Sequence, residues 1–133
     1  MANRSLILLE GSRGKLKGVY CHWDGNPEGV GEKLVNYYAT EERIEELFSF
    51  SDIINLKRNI YGNEDVCEFY SRDRGEPKHQ LREYKNITDI ITKHQYEEYN
   101  YIFGRDGKWR FFENKNFQNL QEVEKYLKTK NRC

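Results

Sequence analysis

Tyr99-Asn100-Tyr101-Ile102-Phe103-Gly104-Arg105-Asp106-Gly107-Lys108-Trp109-Arg110-Phe111-Phe112 is the stretch that decides the fold. Tyr99, Tyr101 and Phe103 alternate with Asn100 and Ile102. Trp109 and Phe111 alternate with Arg110 and Phe112. A glycine-bounded turn, Gly104 to Gly107, separates the two runs. Alternating aromatic runs on either side of such a turn predict a β-hairpin, here extending from Tyr96 to Glu113. Its rings are expected to form an aromatic core under helices, although aromatic sheets also stack bases.

The C-terminal side continues with Leu120, Val123 and Leu127 at helical spacing, predicting a final helix, and Lys128 to Cys133 reads as a frayed tail. On the N-terminal side, Asn86 to His94 predicts a short helix with Asn86 as its cap. Val66 to Tyr70 predicts a strand that runs into the bend Ser71-Arg72-Asp73-Arg74-Gly75-Glu76-Pro77, where Pro77 stops any ladder. Lys57 to Asp65 is polar and loop-like, and Ile53, Ile54 and Leu56 form an extended segment. Two helices precede it. Val30 to Tyr38 carries Val30, Leu34 and Tyr37/Tyr38, while Thr40 caps the second, with Glu41 and Glu42 in its first turn and an Ile44, Leu47, Phe48 stripe. Ser5 to Glu10 and Lys15 to Trp23, joined at Gly11-Ser12-Arg13-Gly14, form another hairpin. The result is an α+β fold in a single domain spanning residues 1–133. Its expected sheet is mainly antiparallel, two hairpins plus a middle strand, with helices packed on one face.

Composition narrows the function. The 133 residues contain 22 basic and 22 acidic side chains, so the net charge of +0 argues against general nucleic-acid binding. Mean hydropathy is −0.99, yet ten Tyr, seven Phe and two Trp supply enough large side chains for a folded core. No apolar run approaches the roughly 20 residues that span a bilayer. The N-terminus lacks the pattern of a signal peptide, so a cytoplasmic location is expected. Cys21, Cys67 and Cys133 are odd in number and widely spaced, which favours free thiols over a disulfide framework.

The chemistry concentrates in Tyr20-Cys21-His22-Trp23-Asp24-Gly25-Asn26-Pro27-Glu28-Gly29-Val30-Gly31. A strand ends there in reactive side chains and passes through glycines into a helix start. Val19, Cys21 and Trp23 share one face of that strand, and Tyr20 and His22 share the other. Cys21 and His22 therefore do not converge on one ion, and Cys67, His79 or His94 would have to complete any zinc set. No metal site and no cofactor are expected. The glycine loop resembles a phosphate cradle in outline only, because it lacks the P-loop and dinucleotide spacings; a tight turn with positive φ at several positions explains it as well. Arg72 and Arg74 present two guanidinium forks suited to phosphate or carboxylate, or else to surface ion pairs. The candidate ligand-binding residues are Tyr20, His22, Trp23, Asp24, Arg72 and Arg74, and no catalytic residue is assigned.

These same stretches carry a resemblance. Val19 to Gly31 resembles the YCHWDGxPxGVG signature of a family of small proteins common in phage and prophage genomes. Phe69-Tyr70-Ser71-Arg72-Asp73-Arg74-Gly75-Glu76 is similar to its later YGRDRGE element, with Ser71 in place of the usual Gly. Tyr99 to Phe103 and Asp106-Gly107-Lys108-Trp109 resemble its closing hairpin. The likeness runs from about Leu6 to Phe112. It implies a phage-borne accessory protein in a bacterial cytosol and brings no catalytic activity or cofactor with it.

Three functions follow as expectations. The first is a non-catalytic counter-defence binder that sequesters a nucleotide-type small molecule. Arg72 and Arg74 would hold phosphate, Tyr20 and Trp23 would stack the base, and His22 and Asp24 would make polar contacts. The second is a protein–protein inhibitor of a host bacterial defence component or nuclease, anchored by Trp and Arg. The third is a small hydrolase or phosphodiesterase with His22 as acid–base, oriented by Asp24. A homo-oligomer is compatible with all three, and no membrane partner is expected.

Overall fold

The computed structural model describes residues 3–93 and 97–130. Strands β1 (Ser5–Glu10) and β2 (Leu16–Cys21) form the first hairpin, with Ser5 opposite Cys21 and Glu10 opposite Leu16. Strands β6 (Tyr99–Phe103) and β7 (Trp109–Glu113) form the aromatic one, with Phe103 opposite Trp109. Between them in the chain lie β3 (Ile53–Asn55), β4 (Glu68–Phe69) and β5 (Arg82–Tyr84). β8 (Asn116–Glu122) follows β7. The sheet runs β4-β3-β2-β1-β6-β7-β8, and β5 also pairs with β2.

This sheet is mixed, which corrects the mainly antiparallel expectation. β1 and β6 are parallel, as are β2 and β3. Each hairpin is antiparallel because its turn is short; the two hairpins meet edge to edge through strands far apart in sequence, where no turn constrains direction. The outer edge of β2 is shared. β5 pairs with Leu16 to Gly18, and β3 takes only Cys21. In the intervening gap the Asp52 carboxylate accepts the Tyr20 N–H at 3.0 Å, doing the work of a missing strand.

Helices cover both faces, not one. Ile7, Leu9, Val19, Cys21, Tyr101, Phe103, Trp109 and Phe111 face α1 (Glu32–Tyr37), α2 (Glu41–Phe48) and α5 (Val123–Lys130), which contribute Leu34, Ile44, Leu47 and Val123. Leu6, Leu8, Leu16, Ile102 and Phe112 face the other way, under Ile90 of α4 (Ile87–Lys93). Thr40 caps α2 as expected, its Oγ1 accepting the Arg43 N–H at 3.2 Å. The Trp109 indole donates to the Tyr38 carbonyl at 2.8 Å, tying the hairpin to the end of α1.

Local departures also have reasons. The final helix begins only at Val123, because a tight turn after Glu113 folds Asn116–Glu122 back as a strand and leaves Leu120 exposed. The expected bend after Phe69 is a one-turn helix, α3 (Tyr70–Arg74), which Gly75 ends in the left-handed region at φ 70°. β5 lies in a segment whose sequence showed no period. Lys128 to Lys130, expected in a frayed tail, continue helix α5; the readings that placed His94 in a helix, Tyr96 in a hairpin and residues 131–133 in that tail fall outside the described residues.

Asn100 is anomalous. It lies in β6 between Leu6 and Phe112, is 1% exposed, and neither its Nδ2 nor its Oδ1 has a hydrogen-bond partner. A buried amide left unpaired costs about 1–3 kcal/mol. Asn100→Val is therefore expected to stabilise the chain by about 1–2 kcal/mol, read as a higher urea midpoint with an unchanged slope.

Candidate functional site

β2 ends at Cys21, and the chain continues along β3 by two backbone bonds, His22 N–H to Ile53 O at 3.0 Å and Trp23 N–H to Ile54 O at 3.1 Å. This places Tyr20, His22 and Trp23 at one corner of the sheet. The Tyr20 phenol and His22 Nδ1 share a 2.7 Å hydrogen bond. The His22 ring meets the Trp23 indole edge-on, with centroids 4.8 Å apart. The indole itself is 41% exposed. From the other side, the Arg82 guanidinium lies 5.8 Å from the Tyr20 ring centre and bonds to Asp52 Oδ1, the same atom that receives the Tyr20 N–H.

The two arginines of the 71–76 bend have different roles. Arg72 is turned inward. Its Nη1 donates to Ile60 O at 2.6 Å, its Nη2 to Cys67 O at 2.7 Å, and its Nε to Asp73. Its guanidinium also packs 4.7 Å from the Phe69 ring centre and 5.1 Å from that of Phe50. Every face of the fork is engaged, so Arg72 holds the 58–67 loop onto β4. Arg74 is exposed, with a single 3.4 Å contact to Glu68.

Asp24 is separated from the imidazole chemically. Its backbone is left-handed at φ 57°, its carbonyl receives the Val30 N–H, and its carboxylate has no hydrogen bond or ion pair among the described residues. The glycine loop beyond it is closed upon itself. The Gly25 N–H goes to Asn3 O, that of Gly29 to Asn26 O and that of Val30 to Asp24 O, so these donors are spent within the protein. Nor are Gly25, Gly29 and Gly31 at positive φ. The reason for glycine is space: a Cβ on Gly25 would lie 2.4 Å from Asn3 O, and one on Gly29 2.3 Å from Asp24 O. A single π-helical turn, Pro27–Gly31, then leads into α1.

Electrostatics favour a neutral, polar aromatic surface beside positive charge. Burial, then Arg4 and Arg74, push the His22 pKa below its usual 6.5. Burial pushes the Tyr20 phenol up to about 12 despite Arg4. With the phenol as donor to Nδ1, the imidazole carries its own proton on Nε2, which is then a donor. Arg4 is exposed, and its guanidinium has no side-chain partner among the described residues. Cys21 is buried and its thiol raised to about 12 by burial; Cys67 is buried too, and neither forms a disulfide. Among the described residues no three His, Cys, Asp or Glu side chains gather as a metal site, and no helix is long and apolar enough to cross a membrane.

No protein-family model, curated protein or solved structure matches the chain. The site must be judged on its own geometry. That geometry brings together Tyr20, His22 and Trp23, leaves Arg74 with only an electrostatic influence on His22, and gives Arg72 and Asp24 other roles. It adds Arg4, Asp52 and Arg82, which the sequence reading missed. Arg4 was within reach of inference: the hairpin register puts Ser5 opposite Cys21, and one more step puts Arg4 opposite His22. Asp52 and Arg82 had no such signal, since their meeting depends on β5.

Two measurements test these assignments. Arg72→Ala removes charged hydrogen bonds worth about 1.5–3 kcal/mol, so the chain should lose stability by that order in urea denaturation. For His22, the folded pKa lies below the unfolded one, so the unfolded chain takes up the proton first. The stabilising effect of the neutral ring is complete above pH 6.5 and is lost as pH falls through the folded value. His22→Gln should flatten that acid limb of the melting-temperature profile.

Proposed function

We propose that the chain is a non-catalytic binder that sequesters a nucleotide-type small molecule at the Tyr20–His22–Trp23 corner. The observation that carries this reading is the exposed indole standing edge-on beside His22, whose pKa is lowered first by burial and then by Arg4 and Arg74. A half-exposed aromatic plane, an imidazole N–H and guanidinium charge, unpaired among the described residues at Arg4 and only loosely paired at Arg74, suit a ligand with a flat ring and a phosphate. Trp23 would stack the ring, Arg4 and Arg74 would hold the phosphate, and His22 would donate to it. The setting is that of a phage accessory protein countering host defence, as the sequence resemblance implies.

Binding is preferred to hydrolysis for a chemical reason. His22 Nδ1 is bonded to a phenol whose pKa is about 12, and a group of that kind does not build up an imidazolium as a carboxylate does. Asp24, the expected orienting carboxylate, does not bond to the ring.

The experiment is mass spectrometry of small molecules released by denaturing the purified protein, followed by titration of the candidate nucleotide. Trp109 is buried and hydrogen-bonded, so a fluorescence change on binding reports Trp23. Arg4→Ala and Arg74→Ala should each weaken binding about tenfold, about 1.4 kcal/mol, and Trp23→Ala should abolish the optical signal and most of the affinity. Because an anion favours imidazolium, binding near pH 6 should take up protons, and His22→Gln should remove that uptake. Absence of any nucleotide response, with capture of one host protein through Trp23, would replace this reading by protein–protein inhibition. Turnover lost in His22→Gln would replace it by hydrolysis.

A further inference from the structure

Far from the corner, at the opposite end of β1 and β2, a hollow of about 560 Å³ opens between the β1–β2 turn, β5 and α4. Its walls carry four lysines from three elements: Lys15 and Lys17 at the start of β2, Lys85 after β5, and Lys93 at the end of α4. Its floor includes Leu16 and Tyr84, which are cross-strand partners and almost fully buried. Lys93 is 3.3 Å from Asp89 and lies 5.8 Å from the Tyr84 ring centre. Lys15, Lys17 and Lys85 have no ion pair among the described residues. Two carboxylates line the same hollow. Asp89 is occupied by Lys93 and by the Lys85 backbone N–H at 2.9 Å, and Glu83 stands opposite Lys17 in the ladder without an ion pair.

The chain has no net charge, so four ammonium groups around one cavity are a local choice, not a consequence of a basic composition. Like charges brought together repel unless an anion lies between them. Lysine is a compact point charge with rotatable donors, suited to clustered phosphate oxygens more than to a single flat carboxylate. The volume falls within the usual range for a small-molecule pocket.

We infer that this hollow is a second binding site, for a ligand carrying a chain of several phosphate groups. Lys15, Lys17 and Lys85 take the phosphate oxygens, and the Leu16–Tyr84 floor accommodates an attached ring where there is one. The site shares no residue with the Tyr20–His22–Trp23 corner and stands independently of the function proposed there.

The test is calorimetry of the whole chain with inorganic tripolyphosphate at about 0.15 M salt, where charges about 8 Å or more apart are largely screened. The wild-type chain should bind. The triple variant Lys15→Gln, Lys17→Gln, Lys85→Gln should lose at least about tenfold in affinity with its melting temperature preserved, since Lys15 and Lys85 are exposed, Lys17 is half-buried and none forms an ion pair among the described residues. Glu83→Gln should tighten binding several-fold, a gain that no folding defect mimics. Arg74→Ala should leave tripolyphosphate binding unchanged. ATP titrated in parallel separates the sources: affinity equal to that of tripolyphosphate supports an inorganic chain, and tighter ATP binding that the triple variant loses and Arg74→Ala retains supports a nucleotide seated over the Leu16–Tyr84 floor. Failure of the wild-type chain to bind either probe, or equal binding by the triple variant, overturns the inference. Loss of tripolyphosphate binding in Arg74→Ala but not in the triple variant would do so as well, while leaving the corner reading intact.

Discussion

Leu6, Ile7, Leu8 and Leu9 must be kept from water on both sides of one strand, and the rest of the architecture answers that requirement. All four are at most 4% exposed. Burying each is worth about 2 kcal/mol, and successive side chains point to opposite faces. One layer of helices is then not enough: Ile7 and Leu9 need α1, α2 and α5, and Leu6 and Leu8 need α4. Both edges of β1 must also be paired, and β2 and β6 pair them. The central strand thus dictates a two-faced sheet in which hairpins join through a parallel seam.

A second constraint shapes the corner. β2 is longer than either partner on its outer edge, and its uncovered stretch leaves the Tyr20 N–H without a strand. Asp52 supplies the acceptor, and Arg82 balances the carboxylate. The same arginine sits over the Tyr20 ring, and the Tyr20 phenol reaches His22. A repair to the ladder therefore also sets the position of the aromatic groups that face solvent. The ion pair is structural in origin, and the surface chemistry is built outward from it.

Much of this was legible in the chain. Both hairpins, the caps at Thr40 and Asn86, and the opposite facing of Tyr20 and Cys21 follow from spacing and residue type, and the structure has them. The unbroken apolar run of β1 is the pattern of a strand buried on both faces, a signal that the expectation of helices on one face left unused. Strand direction across the seam was not legible, because β1 and β6 meet over a long sequence separation. The role of Arg72 was hidden for a related reason: its carbonyl partners, Ile60 and Cys67, belong to a loop with no pattern. The glycines misled in a different way. Their purpose is close backbone contact with Asn3 and Asp24, which sequence does not distinguish from a need for positive φ.

The parallel seam has a consequence for how the molecule is made. Ile7 leaves the ribosome 94 residues ahead of its strand neighbour Tyr101. Until then the greasiest strand has one filled edge and one bare one. Contacts so distant in sequence slow folding and prolong the interval in which sticky intermediates persist. Nascent chains should therefore remain clients of cellular chaperones until the aromatic hairpin is out, after which collapse involves the whole sheet at once.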